Sequence, residues 1–394
     1  MIPSRTAAAL AAGFGTLLLT APDALARKPA QPTAQPQKTF ERMVFTADEG
    51  AAARIGGIPE ARFFADSVAE YDAALASAKV SGEPWLVLSG GGENGAFSAG
   101  ILNGWTATGT RPDFAVVTGV STGALIAPFA FAGPRYDRFL EDAYTGITAA
   151  DIFEFGAKAD SLVDSWPLKR LIERHVTPQL LTDVAEEHRK GRRLFVVTTN
   201  LDAQRPVAWN LGAIAAEGSP QARQLFRDVL LASASIPGLF PPVAIEAQAN
   251  GRTLQELHAD GGITTPFFLA PEPILLGRGR LDRSRAPAQA YVIVNNQLAP
   301  EFQVTDRTLI TVLGRSLSAA VKAGTRAAVM AHAAYGRRNG IALQFATIDG
   351  RFTATSKAPF EQAYMKSLFV HGEKLGREGA AFSGYQLGAA VAGR

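Results

Sequence analysis

The sequence predicts an α/β fold in which one central, mostly parallel sheet is covered by helices. Three observations carry that prediction. Two short apolar strands, Trp85-Leu86-Val87-Leu88 and Phe114-Ala115-Val116-Val117, each run into a glycine-rich turn and then a helical pattern. Strands and helices continue to alternate along the rest of the chain. Hydrophobic residues make up 47% of the 394, enough for a sizeable core.

The first segment carries Arg5, an apolar stretch from Ala7 to Leu19 and the small-x-small triplet Ala24-Leu25-Ala26. That layout predicts a secretory signal peptide over residues 1–26. Its apolar run is shorter than the roughly 20 residues a bilayer span requires, which argues against a retained anchor. The expectation is a soluble, exported protein, periplasmic or secreted. Residues 27–39, rich in Pro and Gln, read as an extended linker, and 40–394 as a single domain. The formal charge of +3 is spread along the chain without basic-aromatic clusters, so nucleic acid is not an expected partner. With no cysteine, disulfides, thiolate metal sites and a cysteine nucleophile are excluded.

From Asp66 to Lys79 the spacing of Val68, Tyr71, Ala74 and Leu75 predicts a helix. Strand Trp85 to Leu88 leads into Ser89-Gly90-Gly91-Gly92-Glu93-Asn94-Gly95, and a helix from Ala96 to Trp105 follows. Consecutive glycines at a helix N-terminus expose backbone N–H groups that can hold a negative oxygen. A dinucleotide site would want an acidic residue at the end of the next strand. Asp113 precedes that strand instead, which disfavours the dinucleotide reading. The second unit turns through Gly119-Val120-Ser121-Thr122-Gly123 into a helix beginning at Ala124. This G-x-S-x-G layout is that of a nucleophile elbow, with glycines leaving room for close strand and helix packing. Side by side in a parallel sheet, the two turns would put an anion-binding loop against an exposed serine, the geometry that acyl transfer requires.

The stretch between Phe131 and Arg193 reads as an irregular, largely helical excursion. Leu194 to Thr199 predicts a strand, and Ser219-Pro220 opens a helix carrying Ala222, Leu225, Phe226, Val229 and Leu230 on one face. The proline-rich Ala232 to Pro242 must end it; that loop either lines an acyl pocket or merely packs. Asn250-Gly251 is a hairpin turn between Ala244–Ala249 and Arg252–Ala259, and the second strand delivers Asp260-Gly261-Gly262. A strand at Tyr291–Val294, a long helix at Thr305–Tyr335, a strand at Leu343–Thr347 and a helix at Phe360–Leu375 complete the pattern.

A serine hydroxyl needs a base. The order Ser121, Asp260, His371 would suit a triad, but His371 falls in a helical pattern and reads as an exposed helical residue. His258 lies two residues before Asp260 on the same strand, while His175, His188 and His332 have no partner suggested. The remaining possibility makes Asp260 itself the base.

Taken together, Gly90-Gly91-Gly92-Glu93-Asn94-Gly95, the Ser121 elbow, the Ala232–Pro242 loop and Asp260-Gly261-Gly262 occur in an order that resembles the patatin-like phospholipase family, over about residues 85–268. The resemblance implies a three-layer α/β/α fold and a Ser-Asp dyad: Ser121 as nucleophile, Asp260 as general base, and Gly90, Gly91 and Gly92 as the oxyanion hole. Gly95, Gly119, Gly123, Gly261 and Gly262 would be the motif glycines. It implies hydrolysis of lipid or phospholipid esters at a membrane surface touched peripherally, with no metal, no cofactor and no obligate protein partner. Asn94 stands where the family usually has Arg or Lys, which removes a positive charge and leaves the backbone donors. Two alternatives use the same scaffold: a catalytically silent lipid-binding or envelope-interaction protein, and an acyltransferase.

Overall fold

Period-two burial along the central strands dictates a sheet covered on both faces. In Trp85–Leu88 (β2), Leu86 and Leu88 enter one hydrophobic cluster while Trp85 and Val87 enter the other. Leu194 and Val196 of β6 (Arg193–Asn200) likewise oppose Phe195 and Val197. The computed structural model describes residues 42–156, 160–278, 282, 285–300, 302 and 304–384. The expected signal peptide 1–26 and linker 27–39 lie outside the described residues.

The chain begins with α1 (Ala47–Ala52), β1 (Arg62–Phe64) and α2 (Val68–Leu75), the last shorter than the expected 66–79. After β2 come α3 (Gly95–Ala107), β3 (Val116–Val120), α4 (Thr122–Ala132) and α5 (Asp137–Thr145). A small hairpin, β4 (Glu154–Phe155) with β5 (Val163–Asp164), leads to α6 (Trp166–His175) and α7 (Pro178–Arg189). Then follow β6, β7 (Arg205–Asn210), α8 (Leu211–Glu217), α9 (Pro220–Ser233), β8 (Val243–Ala249), β9 (Arg252–Asp260) and α10 (Glu272–Leu275). The last third holds β10 (Gln289–Gln297), α11 (Leu309–Asn339), β11 (Ala342–Ile348), α12 (Gln362–Arg377) and β12 (Ser383–Gly384).

Strands β6, β3, β2, β10 and β11 form a parallel centre in that order. Antiparallel pairs flank it: β1 on β7 and β7 on β6 at one side, β12 on β11 at the other, with the β8–β9 hairpin joined to β6 through β9. The α3, α4, α9 and α12 layer covers one face; α2, α10 and α11 cover the other. The result is the expected three-layer α/β fold. Strand β7, which the sequence reading did not assign, forms a hairpin with β6.

Two features tie α3 to its neighbours. Gly100 and Gly104 of α3 face Gly372 and Gly376 of α12 so closely that a Cβ on Gly104 would stand 2.0 Å from the Glu373 carbonyl oxygen, and one on Gly376 2.5 Å from that of Ile101. The helices meet backbone to backbone. Among the described residues, no helix is long and apolar enough to cross a membrane.

Candidate active site

Close packing explains the elbow. A Cβ on Gly119 would sit 2.4 Å from the Gly123 carbonyl oxygen, and one on Gly123 2.5 Å from that of Leu88, so strand, turn and helix can approach only with glycine at both places. Ser121 between them has φ 55° and ψ −124°, a left-handed conformation costing on the order of 1–3 kcal/mol. It stands at the N-cap of α4 without capping it. Its N–H donates to Ser233 Oγ at 3.0 Å, and that hydroxyl donates to the Val197 carbonyl at 2.7 Å, which fixes the turn to α9 and β6.

Asp260 is the last residue of β9, opposite Thr198 of β6, and its N–H donates to the Ser235 carbonyl at 2.9 Å. Its buried carboxyl accepts a hydrogen bond from the Gly262 N–H at 2.7 Å, and the Ser121 hydroxyl lies close enough to favour its ionised form. Burial raises its pKa to about 6, against the opposing pull of those two donors. Gly261 passes so near Val197 that a Cβ would stand 2.3 Å from its carbonyl oxygen.

The glycine turn meets Ser121 as expected, with one correction. A Cβ on Gly90 would lie 3.1 Å from the Cβ of Ser121, but the Gly90 N–H already donates to the Pro266 carbonyl at 3.2 Å. The expected row of three amides is therefore a row of two. The N–H groups of Gly91 and Gly92 have no acceptor among the described residues. Gly91 (φ 155°) crosses directly over β10, where a Cβ would be 2.2 Å from the Asn295 carbonyl oxygen. Gly95 packs against Thr122 and Tyr144.

No histidine joins this pair among the described residues. His258 is fully buried, bonded through Nδ1 to Thr198 Oγ1 at 2.9 Å and through Nε2 to Glu256 at 3.3 Å. His371 is packed rather than exposed: its ring stacks on Phe97 and tilts against Phe352. His332 donates from Nδ1 to the Ala328 carbonyl at 2.7 Å within α11, and His188 lies against Gly212.

An apolar cavity borders the serine, with about 870 Å³ of empty space when its opening to solvent is included. Ser121, Thr122 and Gly92 form part of its wall. The rest comes from Leu125 and Phe129 of α4, from Leu140, Ala143 and Tyr144 of α5, from Leu168, Leu171, Ile172 and His175 of α6, and from Ile236 and Phe240 of the proline-rich loop. The excursion between Phe131 and Arg193 thus builds much of the cavity. Its polar atoms are muted: the Tyr144 hydroxyl is bonded to Thr122 Oγ1 at 2.5 Å, and burial and Arg174 push His175 below its usual pKa, keeping it neutral near pH 7.

A buried, strained serine near a buried aspartate, beside a glycine turn and an apolar cavity, has the parts of an acyl-transfer site. A sequence profile of patatin-like phospholipases matches residues 86–271. The chain carries a patatin-like phospholipase domain. That places it in a superfamily of lipid hydrolases. No curated protein matches the chain in sequence. Among solved structures, that of VipD from Legionella pneumophila matches at 13% identity and a TM-score of 0.39, covering 78% of this chain and 69% of that one.

The patatin-like domain is completed by residues that sequence reading missed. Buried Asn295, just past the apolar part of β10, donates from Nδ2 to the Ser89 carbonyl at 2.9 Å and accepts from Ser98 Oγ at 2.7 Å. Its N–H donates to Ser89 Oγ at 2.8 Å, and Asn296 Nδ2 reaches the Gly90 carbonyl at 3.3 Å. The signal was available: Asn295-Asn296 directly follows Tyr291–Val294, at the carboxyl end of a parallel strand where α/β sites gather. Asn94 accepts from the Tyr364 hydroxyl of α12 at 2.8 Å, so the position where the resemblance expects a cation is a tether here.

Proposed function

We propose that this protein is a serine acyl-hydrolase of fatty-acyl lipid esters. The observation that supports the reading most directly is the strained Ser121 on the wall of an apolar cavity, with the buried Asp260 carboxyl near enough for its hydroxyl to favour the ionised form. Asp260 accepts the hydroxyl proton as Ser121 Oγ attacks the ester carbonyl, and the Gly91 and Gly92 N–H groups receive the oxyanion. The proton passes from Asp260 to the departing alcohol oxygen, which leaves Ser121 acylated. Water then gives its proton to Asp260 and attacks the acyl carbon. Collapse of that second intermediate returns the proton to Ser121 and frees the fatty acid. The chain of the acyl group lies in the cavity, where burial of each CH₂ is worth about 0.8 kcal/mol.

The same reading puts the protein outside the cytoplasm, from the layout of residues 1–26, and meets its lipid at a membrane surface touched peripherally. One experiment tests both parts. Exported protein is treated with a fluorophosphonate probe and mapped by peptide mass spectrometry. A single adduct on Ser121, absent in Asp260→Asn, on a chain starting at Arg27 is expected. An unlabelled folded protein would remove the hydrolase reading, and recovery of residues 1–26 on it would remove the export.

A further inference from the structure

The cavity wall contains one residue from far outside the patatin-like stretch. Phe360 lines it together with Gly92, at the end of the segment that joins β11 to α12. Its backbone is strained, with φ 55°, a value uncommon for any residue but glycine. Strain of this kind persists only where surrounding contacts impose it.

The contacts come from the glycine turn itself. The Glu93 carboxylate, one residue after Gly92, accepts a hydrogen bond from the Phe360 N–H. Next to it, Asn94 accepts from Tyr364. The Phe360 ring then continues a row with Phe153 and Phe240, each successive pair of centroids 6.3 Å apart. Glu93 does not line the cavity; Phe360 does.

We infer that Phe360 is a specificity-determining residue that limits bulk on the acyl chain next to the reacting carbonyl, and that Glu93 positions it. The inference rests on the hydrolase reading above. Its physical basis is location: the ring lines the same cavity as Gly92 and Ser121, and its backbone is tied to Glu93, the residue next to Gly92, which sets it toward the glycine-turn end of that cavity. Linear chains pass the ring, and chains branched at the α-carbon collide with it.

The test compares p-nitrophenyl esters of decanoic acid and of 2-methyldecanoic acid in wild type, Phe360→Ala, Phe360→Gly, Glu93→Ala and Phe360→Ala/Glu93→Ala. Phe360→Gly fits the left-handed backbone and serves if the alanine variant folds poorly. Removing the ring is expected to raise the branched-to-linear ratio of kcat/KM by about 10-fold or more, the size of effect that such hydrophobic discrimination supplies. Glu93→Ala is expected to move the ratio the same way, through the branched substrate's KM, with no further rise in the double variant. Wild-type turnover with an unchanged ratio in both Phe360 variants overturns the inference and leaves the hydrolase reading standing. A Glu93→Ala effect confined to kcat and equal for both esters removes the positioning role. No wild-type turnover of any ester overturns both readings.

Discussion

Asp260 holds opposed requirements in one side chain. As a base it must be ionised, and burial disfavours the ion, with the pKa raised from 3.8 to about 6. The rate of ester hydrolysis should therefore fall with unit slope as pH drops below about 6 and level off above it, measured as kcat/KM against pH. Stability runs the other way. A carboxyl whose folded pKa lies above its unfolded value favours the fold fully below the unfolded pKa, and that contribution is lost as pH rises through about 6. Two pKa units correspond to about 3 kcal/mol. Asp260→Asn should thus abolish turnover yet unfold at higher temperature than wild type at pH 8, with little difference at pH 4; thermal scans at the two pH values check this. Ser121 and Asp260 were both legible in the sequence because each sits in a short local pattern of glycines. Phe360 was not, since nothing next to it in sequence marks a residue tied to a turn more than 200 positions away, and Asn295 carried only the signal of its place after an apolar strand.

At the level of elements, the glycines of α3 and α12 act in a different way from those of the turns. Gly104→Ala would drive a methyl into the Glu373 carbonyl, 2.0 Å away, and the helices must part. A loss of about 2 kcal/mol or more is expected, with turnover falling as well because α12 carries the Tyr364 tether. Gly314→Ala, on an exposed part of α11 with open space around the site, should instead stabilise by about 0.5–1 kcal/mol through helix propensity. Urea midpoints of the two variants give opposite signs if this account holds. The strand-turn-helix units were readable because their periodicity and punctuation are local. The role of α5 and α6 was not: an apolar face such as Leu168, Leu171 and Ile172 looks the same in sequence whether it meets a core or borders a cavity. Thr305 to Thr308 were expected within the long helix, which begins at Leu309 and runs on to Asn339, four residues beyond the expected end.

Over the whole molecule, the patatin-like stretch 86–271 contains Ser121 and Asp260, the proposed nucleophile and base, but not their frame. β2 lies between β3 and β10, so a fragment of residues 42–271 would turn the buried edge of Trp85–Leu88 toward water and remove Asn295 from beneath the glycine turn. Such a fragment is expected to aggregate or show no protected amides in β2 by hydrogen exchange, whereas 42–384 protects them. The backbone-to-backbone seat of α12 on α3 also has a meaning in time. A chain leaves the ribosome in sequence order at about 5–20 residues per second. Asp260 emerges 116 residues before Gly376 (376 − 260), so for roughly ten seconds the nascent protein holds Ser121 and Asp260 without the helix that packs on α3 and tethers Asn94 of the glycine turn. On the proposed hydrolase reading, the site thereby stays unfinished through that interval and gains its frame only when α12 has followed.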